Sequence, residues 1–501
     1  MSKTFKNVLY VTAGVLFAQV VGSFQSFFLA RLLEPSDYGI WTGVQVIAVL
    51  APIACLGTVE ALLKQVPYYR GKNDPVSLRK VENSVFGTIV LAAGFLAVLL
   101  LAGARFLPFK FIQDNLLVTQ ITAASAAISF FTSYYYYRCT AYEDFKLVGF
   151  FDSFRSFSSF VCVLLFAWRW GLLGGVIGAW LSELLNWLLV ARVDGNAHGN
   201  VRACFQPSLM GNAVRVGFPI TIIWWVYAIH MSVGRMTAIS YLGNTATGYY
   251  GVGSSIAMLF ALVPNMIGRV FYPRVNAQIG AKAGLHALRH SVVTPTSVIS
   301  LLLPLAQAVI FFLLPLIYTH FLPKYKDGVI CAQILIFGAF FVGMIRNGAN
   351  YLIAADMQTR LLKYVIISVA ANAGGSILLA RLGFGINGIA VAASVASALL
   401  ASLVWRRVFV ELGYAWKNRM MLHASFYLPF FGTLLTIVVM RLAFSHFGGG
   451  SEHWLPLQMS LVLCVCVSVI LAVPSTRAQL KDLYDRALLG FVYRFKPPLA
   501  K

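Results

Sequence analysis

Long apolar runs separated by short polar segments make up nearly the whole chain. Crossing about 30 Å of hydrocarbon takes about 20 helical residues, and an open backbone without internal hydrogen bonds is not stable there. The runs predict fourteen membrane-spanning helices, numbered here as spans 1–14, at residues 8–30, 38–62, 83–104, 116–137, 147–168, 171–191, 214–234, 245–268, 293–318, 331–353, 364–380, 385–405, 424–440 and 456–474. The sequence therefore predicts an all-α membrane protein.

The composition agrees with this pattern. Of 501 residues, 59 % are apolar and 11 % are charged, and the mean hydropathy is +0.77. Soluble domains have about 45–50 % apolar and about 25 % charged residues. This excludes a soluble enzyme with a membrane anchor, a secreted disulfide scaffold and a disordered chain. The seven cysteines contain no Cys-x-x-Cys and lie mostly in apolar runs, so they predict neither disulfides nor a metal site.

The net charge of +22 would suggest nucleic-acid binding in a soluble protein. Here the basic residues lie in short loops, where they set topology and contact membrane lipids with anionic headgroups, so no nucleic-acid partner is predicted. With the N-terminus inside, 28 Lys and Arg fall in inner segments, and both termini are predicted to be cytoplasmic. Nine fall in outer segments: Arg31, Arg105, Lys110, Arg169, Arg235, Lys324, Lys326, Arg381 and Arg441.

An internal repeat indicates duplication of six helices. Residues 33–41 align with residues 242–250 at an offset of 209, each time after one apolar helix and at the start of the next. Residues 171–174 align with residues 385–388 at an offset of 214. Such duplication is common in transporters. The predicted organisation is an N-lobe with spans 1–6 (1–191), a cytoplasmic linker (192–213), a C-lobe with spans 7–12 (214–405), two extra helices (406–474) and a basic cytoplasmic tail (475–501).

Three segments carry a family resemblance: ARLLEPSDYGIW at 30–41, PYYRGKND at 67–74, and LGNTATGYY at 242–250. They resemble the polysaccharide-exporter branch of the multidrug/oligosaccharidyl-lipid/polysaccharide (MOP) flippase superfamily, which includes the Wzx O-antigen flippases. The resemblance implies two six-helix lobes around a central cavity that opens alternately to each side of the bacterial cytoplasmic (inner) membrane. It also implies a polyprenyl-diphosphate-linked oligosaccharide as substrate, either an O-antigen unit of lipopolysaccharide or an exopolysaccharide repeat unit, moved from the inner to the outer leaflet.

Three alternatives stay open. Fourteen helices are closer to the lipid II flippases of the same superfamily, and a drug/cation antiporter is a further reading. A membrane glycosyltransferase would need a catalytic loop larger than any present. The chain has no Gly-x-x-x-x-Gly-Lys-Ser/Thr sequence, so we expect a transporter without ATPase chemistry or cofactors, driven by H⁺ or Na⁺ and working beside a polysaccharide polymerase or ligase.

Ionisable residues inside spans are functional candidates, because an Arg or Asp at mid-membrane costs about 2.5–3.5 kcal/mol on insertion scales. At about 1.5 Å per residue, Arg155 and Arg346 lie roughly 12 and 10 Å from the cytoplasmic side. Glu183 is level with them, and Asp152 is one turn shallower. We expect a polar layer that receives a diphosphate. Asp152 and Arg155 can alternatively form an i,i+3 ion pair, and Arg346 can contact the anionic headgroup, pair with Glu183, or snorkel.

The remaining candidates have weaker signals. Further substrate contacts are predicted beside Arg346, at the cytoplasmic end of span 8, and along the first two spans: Asn347, Asn350, Arg269, Arg274, Gln19 and Gln45. The coupling-ion candidates are Glu60, Glu183, Asp152 and His230. Each has a structural alternative. Glu60 can pair with Lys64 at the membrane interface, and His230 can be a histidine whose hydrogen bonds are made within the helix bundle. The glutamines can form hydrogen bonds between helices.

Overall fold

The computed structural model describes residues 3–99, 110–281 and 284–446. Within these ranges the chain is helical and has no strand, which confirms the predicted fold class. The α-helices are α1 (Lys3–Leu32), α2 (Pro35–Leu50), α3 (Thr58–Gly71), α4 (Pro75–Ala97), α5 (Lys110–Asp114), α6 (Leu116–Ala141), α7 (Phe145–His198), α8 (Pro207–Tyr241), α9 (Gly243–Leu259), α10 (Leu262–Gly280), α11 (Leu285–Phe321), α12 (Val329–Ala354), α13 (Gln358–Arg381), α14 (Gly385–Glu411) and α15 (Trp416–His446).

Ten helical stretches of the described ranges are long and apolar enough to cross a membrane, or twelve if two bent pairs each count as one span. Within the described ranges, predicted spans 1–13 fall on helices, with residues 100–104 of span 3 outside those ranges. Spans 5 and 6 share the 54-residue helix α7. A helix of that length would measure about 81 Å at 1.5 Å per residue, which is far more than one span needs. Span 14, at 456–474, lies outside the described residues, so the count of fourteen stays a prediction.

Helix α7 is a hairpin of two arms. Its backbone leaves helical geometry at Trp170 and at Gly171, where φ is +60°. Glycine adopts positive φ without a steric penalty. The arms then touch backbone to backbone: a Cβ on Gly174 would lie 2.0 Å from Phe166 O, and one on Gly178 would lie 2.4 Å from Cys162 O. The chain therefore reverses between predicted spans 5 and 6.

Predicted span 2 is broken in the middle. After α2, a 3-10 helix at Ala51–Cys55 leads to Leu56 and Gly57, both with positive φ (50° and 76°), and α3 starts at Thr58. Proline at position 52 cannot donate a helical hydrogen bond. A Cβ on Gly217 of α8 would lie 1.7 Å from Gly57 O, so α8 crosses directly over this break.

By their internal contacts, the helices divide into two compact units. The first unit contains Met1–Ile256, Phe321–Ala332 and Gln358–Ala396, and the second contains Ala257–His320, Gln333–Met357 and Ser397–Lys501. The first unit has a buried interior around Val85, Ile89 and Phe130. The second has an aromatic interior in which Trp405 packs against Phe426. The lobe boundaries predicted from the repeat remain a prediction.

Candidate functional site

The first unit contains a polar cavity of about 460 Å³. Helices α1, α2, α6, α7, α8 and α9 line it with Gly22, Gln25, Ser26, Leu29, Tyr38, Trp41, Thr42, Gln45, Ala48, Thr122, Ser125, Ala126, Ser129, Arg155, Ser159, Val176, Ala179, Ser182, Glu183, Arg235 and Ser255. Small hydroxyl side chains predominate. The wall can therefore hydrogen-bond a polar molecule at many points.

Three charged side chains line this cavity. Arg155 and Glu183 come from the two arms of α7, and Nε of the arginine lies 3.4 Å from Oε2 of the glutamate. The Arg155 side chain is 52 % exposed and that of Glu183 only 11 %, so the guanidinium is the accessible partner. Arg235 reaches the cavity from α8, and its Nε is buried without a hydrogen-bond partner among the described residues. Two guanidinium groups thus face one carboxylate.

The hydroxyl groups of the wall share one orientation. Seven of its eight serines and threonines donate to a backbone carbonyl one helical turn earlier: Ser26 to Gly22, Thr42 to Gly39, Thr122 to Val118, Ser125 to Ile121, Ser129 to Ala126, Ser182 to Ala179, and Ser255 to Gly251. Each hydroxyl has one hydrogen and two lone pairs. With the hydrogen used inside the helix, the oxygen can only accept. The wall offers acceptors, and the arginines offer donors.

The structure brings some predicted residues to this cavity and places others elsewhere. Gln45 lines it together with Arg155 and Glu183. Gln19 is exposed on α1 and does not line the cavity. Asp152 also lies outside the lining, where Tyr136 donates a 3.4 Å hydrogen bond to its Oδ2.

A second group of predicted residues gathers in the second unit. Arg346, Asn347 and Asn350 of α12 all lie close to Gly268 of α10, whose Cβ position is 3.0–3.2 Å from one atom of each side chain. Asn350 donates to Gly268 O at 3.4 Å. Arg269 follows Gly268 in the chain, but its side chain lies outside the described residues. Arg274 is exposed and stacks over the Phe271 ring at 5.4 Å.

The coupling candidates Glu60 and His230 have different surroundings. Glu60 of α3 lies near the hydroxyls of Thr221 and Tyr137, and its Oε2 is buried without a hydrogen-bond partner among the described residues.

His230 of α8 is 1 % exposed. Its Nδ1 is 3.2 Å from Ser368 Oγ, and its carbonyl accepts a 3.0 Å hydrogen bond from Asn372 of α13. His230 therefore joins two helices in a buried polar ladder.

Two arginines have a place in the structure that the sequence does not predict. Arg235 is predicted in an outer segment after span 7, whereas α8 continues to Tyr241 and brings Arg235 to the wall of the cavity. Arg138 directly follows predicted span 4, where the charge pattern predicts an inner loop, yet it is fully buried in α6. Its Nε is 2.9 Å from Glu82 Oε1, and its Nη1 is 2.5 Å from Asp194 Oδ2. In the sequence, Arg138 follows four tyrosines at the end of a helix. This pattern is typical of an aromatic belt at the membrane interface, so it does not indicate a buried arginine.

The Arg138 cluster is also the one place in the described ranges where three potential metal ligands converge. Cys139, Asp194 and His198 offer atoms within 4.8 Å of one another. However, the thiol and the His198 ring both hydrogen-bond to Asp194 Oδ1 (3.2 and 2.9 Å), and Arg138 occupies the other oxygen. A guanidinium there opposes a second cation. The cluster therefore acts as a structural ion network.

A family model described as polysaccharide biosynthesis protein matches residues 4–277. No curated protein sequence matches significantly. Among solved structures, an inward-facing multidrug resistance MATE family transporter of the MOP superfamily aligns with a TM-score of 0.67 at 14 % identity, covering 81 % of this chain and 95 % of that one.

Two further solved structures share the fold. The lipid II flippase MurJ in an inward closed conformation aligns with a TM-score of 0.68 at 13 % identity, over 96 % of this chain and 100 % of that one. A MOP superfamily transporter from Pyrococcus furiosus, described as having a binding pocket of reverse polarity, aligns at 0.58 and 14 % identity over 84 % and 96 % of the two chains. Identities this low indicate a common fold.

Proposed function

Because the chain belongs to the polysaccharide biosynthesis protein family and has the fold of MOP transporters, we propose that it is a flippase for a polyprenyl-diphosphate-linked oligosaccharide. The substrate is an O-antigen or exopolysaccharide repeat unit, carried from the inner to the outer leaflet of the bacterial cytoplasmic membrane by alternating access. The cavity of the first unit holds the headgroup while the prenyl chain stays in the lipid. Both termini face the cytoplasm.

The observation that supports this function best is the chemistry of the cavity wall. A glycan carries many hydroxyl hydrogens, and the wall presents serine and threonine oxygens that can only accept. A diphosphate needs donors of positive charge, and planar guanidinium groups suit phosphate oxygens best. Arg155 and Arg235 supply these in the same cavity. A cationic drug would find one carboxylate there, already paired with Arg155.

The Arg155–Glu183 pair gives the site a way to bind and release an anion. At 3.4 Å, with the arginine half exposed, the pair lies near the long end of hydrogen-bond distances. An arriving phosphate can take the guanidinium from Glu183, and the carboxylate can reclaim it when the substrate leaves. Glu183 therefore lowers the affinity for the anion, so that release remains fast. Arg346 in the second unit is proposed as a further anion contact.

Transport without an ATPase needs an ion gradient, and we assign this role to H⁺ or Na⁺ with Glu60, Asp152 or Glu183 as the coupling carboxylate. His230 is a weaker candidate than the three carboxylates, because its ring lies in the buried ladder with Ser368 and Asn372. A polysaccharide polymerase or ligase is the proposed partner that receives the flipped unit.

The test is export of surface glycan in the source bacterium after deletion of the chromosomal copy. Wild type, Arg155→Ala, Arg235→Ala and Arg346→Ala are expressed at matched membrane levels. Charge-assisted hydrogen bonds contribute about 1.5–3 kcal/mol, so we expect export at limiting substrate to fall about 10- to 100-fold in the Arg155 and Arg235 variants.

The matched control is Arg381→Ala, an exposed arginine of the same unit outside the cavity. It should export like wild type. Full export by both cavity variants would contradict the role of the arginines. Failure of inserted wild type to export its native lipid-linked glycan would contradict the flippase, and the drug/cation antiporter would then be tested.

A further inference from the structure

The two arginines of the cavity lie at different depths. Arg155 is fifteen residues before the turn of α7 at Trp170, and Arg235 is six residues before the end of α8 at Tyr241. At about 1.5 Å per residue, these positions are roughly 22 Å and 9 Å from the two helix ends. The Lys and Arg distribution predicts that both ends lie on the outer side. Arg235 is therefore nearer to the outer end of the cavity than Arg155.

A contact between α2 and α9 marks the same end independently. Gly39 of α2 and Gly248 of α9 occupy the same place in the repeat, 209 residues apart. A Cβ on Gly39 would lie 1.8 Å from Asn244 O, and a Cβ on Gly248 would lie 1.9 Å from Pro35 O. No side chain fits at either position. The two backbones therefore touch, close to the start of both helices.

Arg235 lies beside this contact. Tyr38, which precedes Gly39 in the chain, and Tyr250 of α9 are both within electrostatic reach of the Arg235 guanidinium. The Tyr250 hydroxyl packs on the backbone of α8 directly before Arg235, because a Cβ on Gly234 would lie 2.0 Å from that oxygen. Tyr38 lines the cavity together with Arg235. The contacts of Arg235 thus place it at the outer end of the cavity, in agreement with its position in α8.

The two guanidinium groups do not converge on one small anion. The first arm of α7 and α8 both run toward the outer side, and the side chains of a helix lean toward its N-terminus. Arg155 and Arg235 therefore lean in the same direction, which preserves their difference in depth. Glu183 holds Arg155 at its own level, at 3.4 Å. Because the two phosphorus atoms of a diphosphate share one bridging oxygen, a diphosphate at Arg155 leaves Arg235 to a different group.

That group belongs to the glycan. With the diphosphate at Arg155 and the prenyl chain in the lipid, the first sugars extend along the cavity toward Arg235. The single carboxylate among the described lining residues is that of Glu183, which pairs with Arg155. The lining thus supplies no second carboxylate for Arg235, whose Nε is buried without a hydrogen-bond partner among the described residues.

A carboxylate on the sugar would complete this environment. A cation that is buried without an anion beside it is costly. A carboxylate binds a guanidinium with two parallel hydrogen bonds, which are about twice as strong as hydrogen bonds between neutral groups. A neutral sugar offers hydroxyl oxygens, which can accept a hydrogen bond but do not balance the charge. The site therefore favours an acidic sugar over a neutral one.

We propose that the outer end of the cavity is an anion subsite for an acidic sugar, with Arg235 as the residue that binds the sugar carboxylate. The substrate class is thereby narrowed to oligosaccharides that carry a uronic acid or another carboxylated sugar near the diphosphate. The diphosphate and the carboxylate bind at the same time, one to each arginine. This inference rests on the proposed function, because the diphosphate at Arg155 defines the depth at which the sugar lies.

The first experiment compares two sugar phosphates that differ only at C6 of the sugar. Glucose 1-phosphate carries a hydroxymethyl group there, and glucuronic acid 1-phosphate carries a carboxylate. Binding of each to the purified full-length protein is measured by ligand-detected NMR titration. We expect wild type to bind the acid about 10- to 100-fold more tightly, which is the range that charge-assisted hydrogen bonds supply.

The preference for the acid identifies the subsite. Arg235→Ala should remove most of this preference, whereas Arg155→Ala should weaken the binding of both ligands and keep it. The matched control is Arg381→Ala, which lies outside the cavity and should bind both ligands like wild type. Because the preference is a ratio of two affinities in one preparation, it does not depend on the fraction of protein that is folded. A wild type without the preference, or an Arg235→Ala variant that retains it, would overturn the acidic subsite.

The second experiment analyses the native glycan and needs no variant of the cavity. The surface polysaccharides of the source bacterium are compared before and after deletion of the chromosomal copy. The sugars of the polysaccharide that is lost are then determined with and without carbodiimide reduction of uronic acids. We expect a carboxylated sugar in its repeat unit, and a repeat unit that contains none would refute the inference.

The proposed function and the acidic subsite fail in different ways. If deletion removes a polysaccharide with a neutral repeat unit, the flippase stands and the acidic subsite falls. If deletion removes no polysaccharide and neither sugar phosphate binds, the proposed function falls and the acidic subsite falls with it.

Discussion

At the scale of single residues, Arg138 is the cation at the centre of a buried ion network. Its guanidinium is fully buried, as are Glu82 and Asp194, and it also donates to the carbonyls of His198 and Gly199. Burial of three charges is costly unless each is paired and hydrogen-bonded. Here the pairing ties the end of α7, and the chain that follows it, to α4 and α6.

Loss of this guanidinium should therefore be severe. We expect Arg138→Ala to lower the free energy of unfolding by about 3–5 kcal/mol, because it removes the buried cation that Glu82 and Asp194 share and leaves two buried carboxylates with weaker compensation. Thermal unfolding of the purified protein in detergent measures this effect. Arg202→Ala, an exposed arginine beside the same region, should unfold like wild type. A melting temperature of Arg138→Ala within error of wild type would show that the cluster is dispensable.

Some positions of these charged residues are predictable from the sequence, and others are not. Depth along the helices placed Arg155 and Glu183 at one level, and the structure has them 3.4 Å apart. The sequence predicts Arg235 outside because span 7 ends at residue 234, seven residues before α8 ends. Apolar content does not mark the end of α8, because the helix carries a charged residue where it lines the cavity. In the sequence, an arginine of the cavity wall therefore looks like a topology signal.

At the scale of elements, the turn of α7 decides which residues of its arms meet. With the reversal at Trp170 and Gly171, Gly174 faces Phe166 and Gly178 faces Cys162. Continuing in this register brings Glu183 beside Arg155. The glycines therefore position the charged pair of the cavity as well as the helices.

A bulky residue in this hairpin should separate its arms. We expect Gly178→Leu to lower the free energy of unfolding by more than the about 1–3 kcal/mol typical of overpacking, because its Cβ would lie 2.4 Å from a backbone oxygen. Export of glycan should fall with it. Gly94→Leu in α4, where no atom lies within 4 Å of the Cβ position, serves as the control, and thermal unfolding is again the measurement. Equal stability of the two variants would contradict this account of the hairpin.

The break in predicted span 2 was not predicted, although Pro52 and Gly57 are both present there. The run at 38–62 is mostly apolar on both sides of the break, and hydropathy contains no information on backbone angles. Leu56 has φ of +50°, a conformation that is unusual for a bulky residue. The crossing of Gly217 over Gly57 involves residues 160 positions apart, so only tertiary packing explains it.

At the scale of the whole molecule, the charge distribution predicts a membrane topology that can be tested directly. We expect a reporter that is active only in the cytoplasm to be active at residue 501, and one that is active only outside to be active after residue 382. The physical reason is the retention of Lys and Arg on the inner side. An inactive cytoplasmic reporter at the C-terminus would mean an odd number of spans and would contradict fourteen.

The contact-based units follow packing, and a sequence repeat does not reveal packing. The first unit includes residues up to Ile256 and the segment Gln358–Ala396, because α8 and α13 share the His230 ladder and α9 crosses α2. The repeat predicts which helices are equivalent. It does not predict which of them contact each other.

The contact between Gly39 and Gly248 has a consequence for the origin of the chain. In a two-fold symmetric dimer, a residue on the symmetry axis touches its own copy in the partner. Two equivalent glycines of one chain that approach each other's helix in this way reproduce such an isologous interface inside a single polypeptide. A six-helix ancestor could have met a second copy of itself through this one glycine. Gene fusion would then have let the two halves diverge, while each kept a glycine at the point where it must accommodate the other.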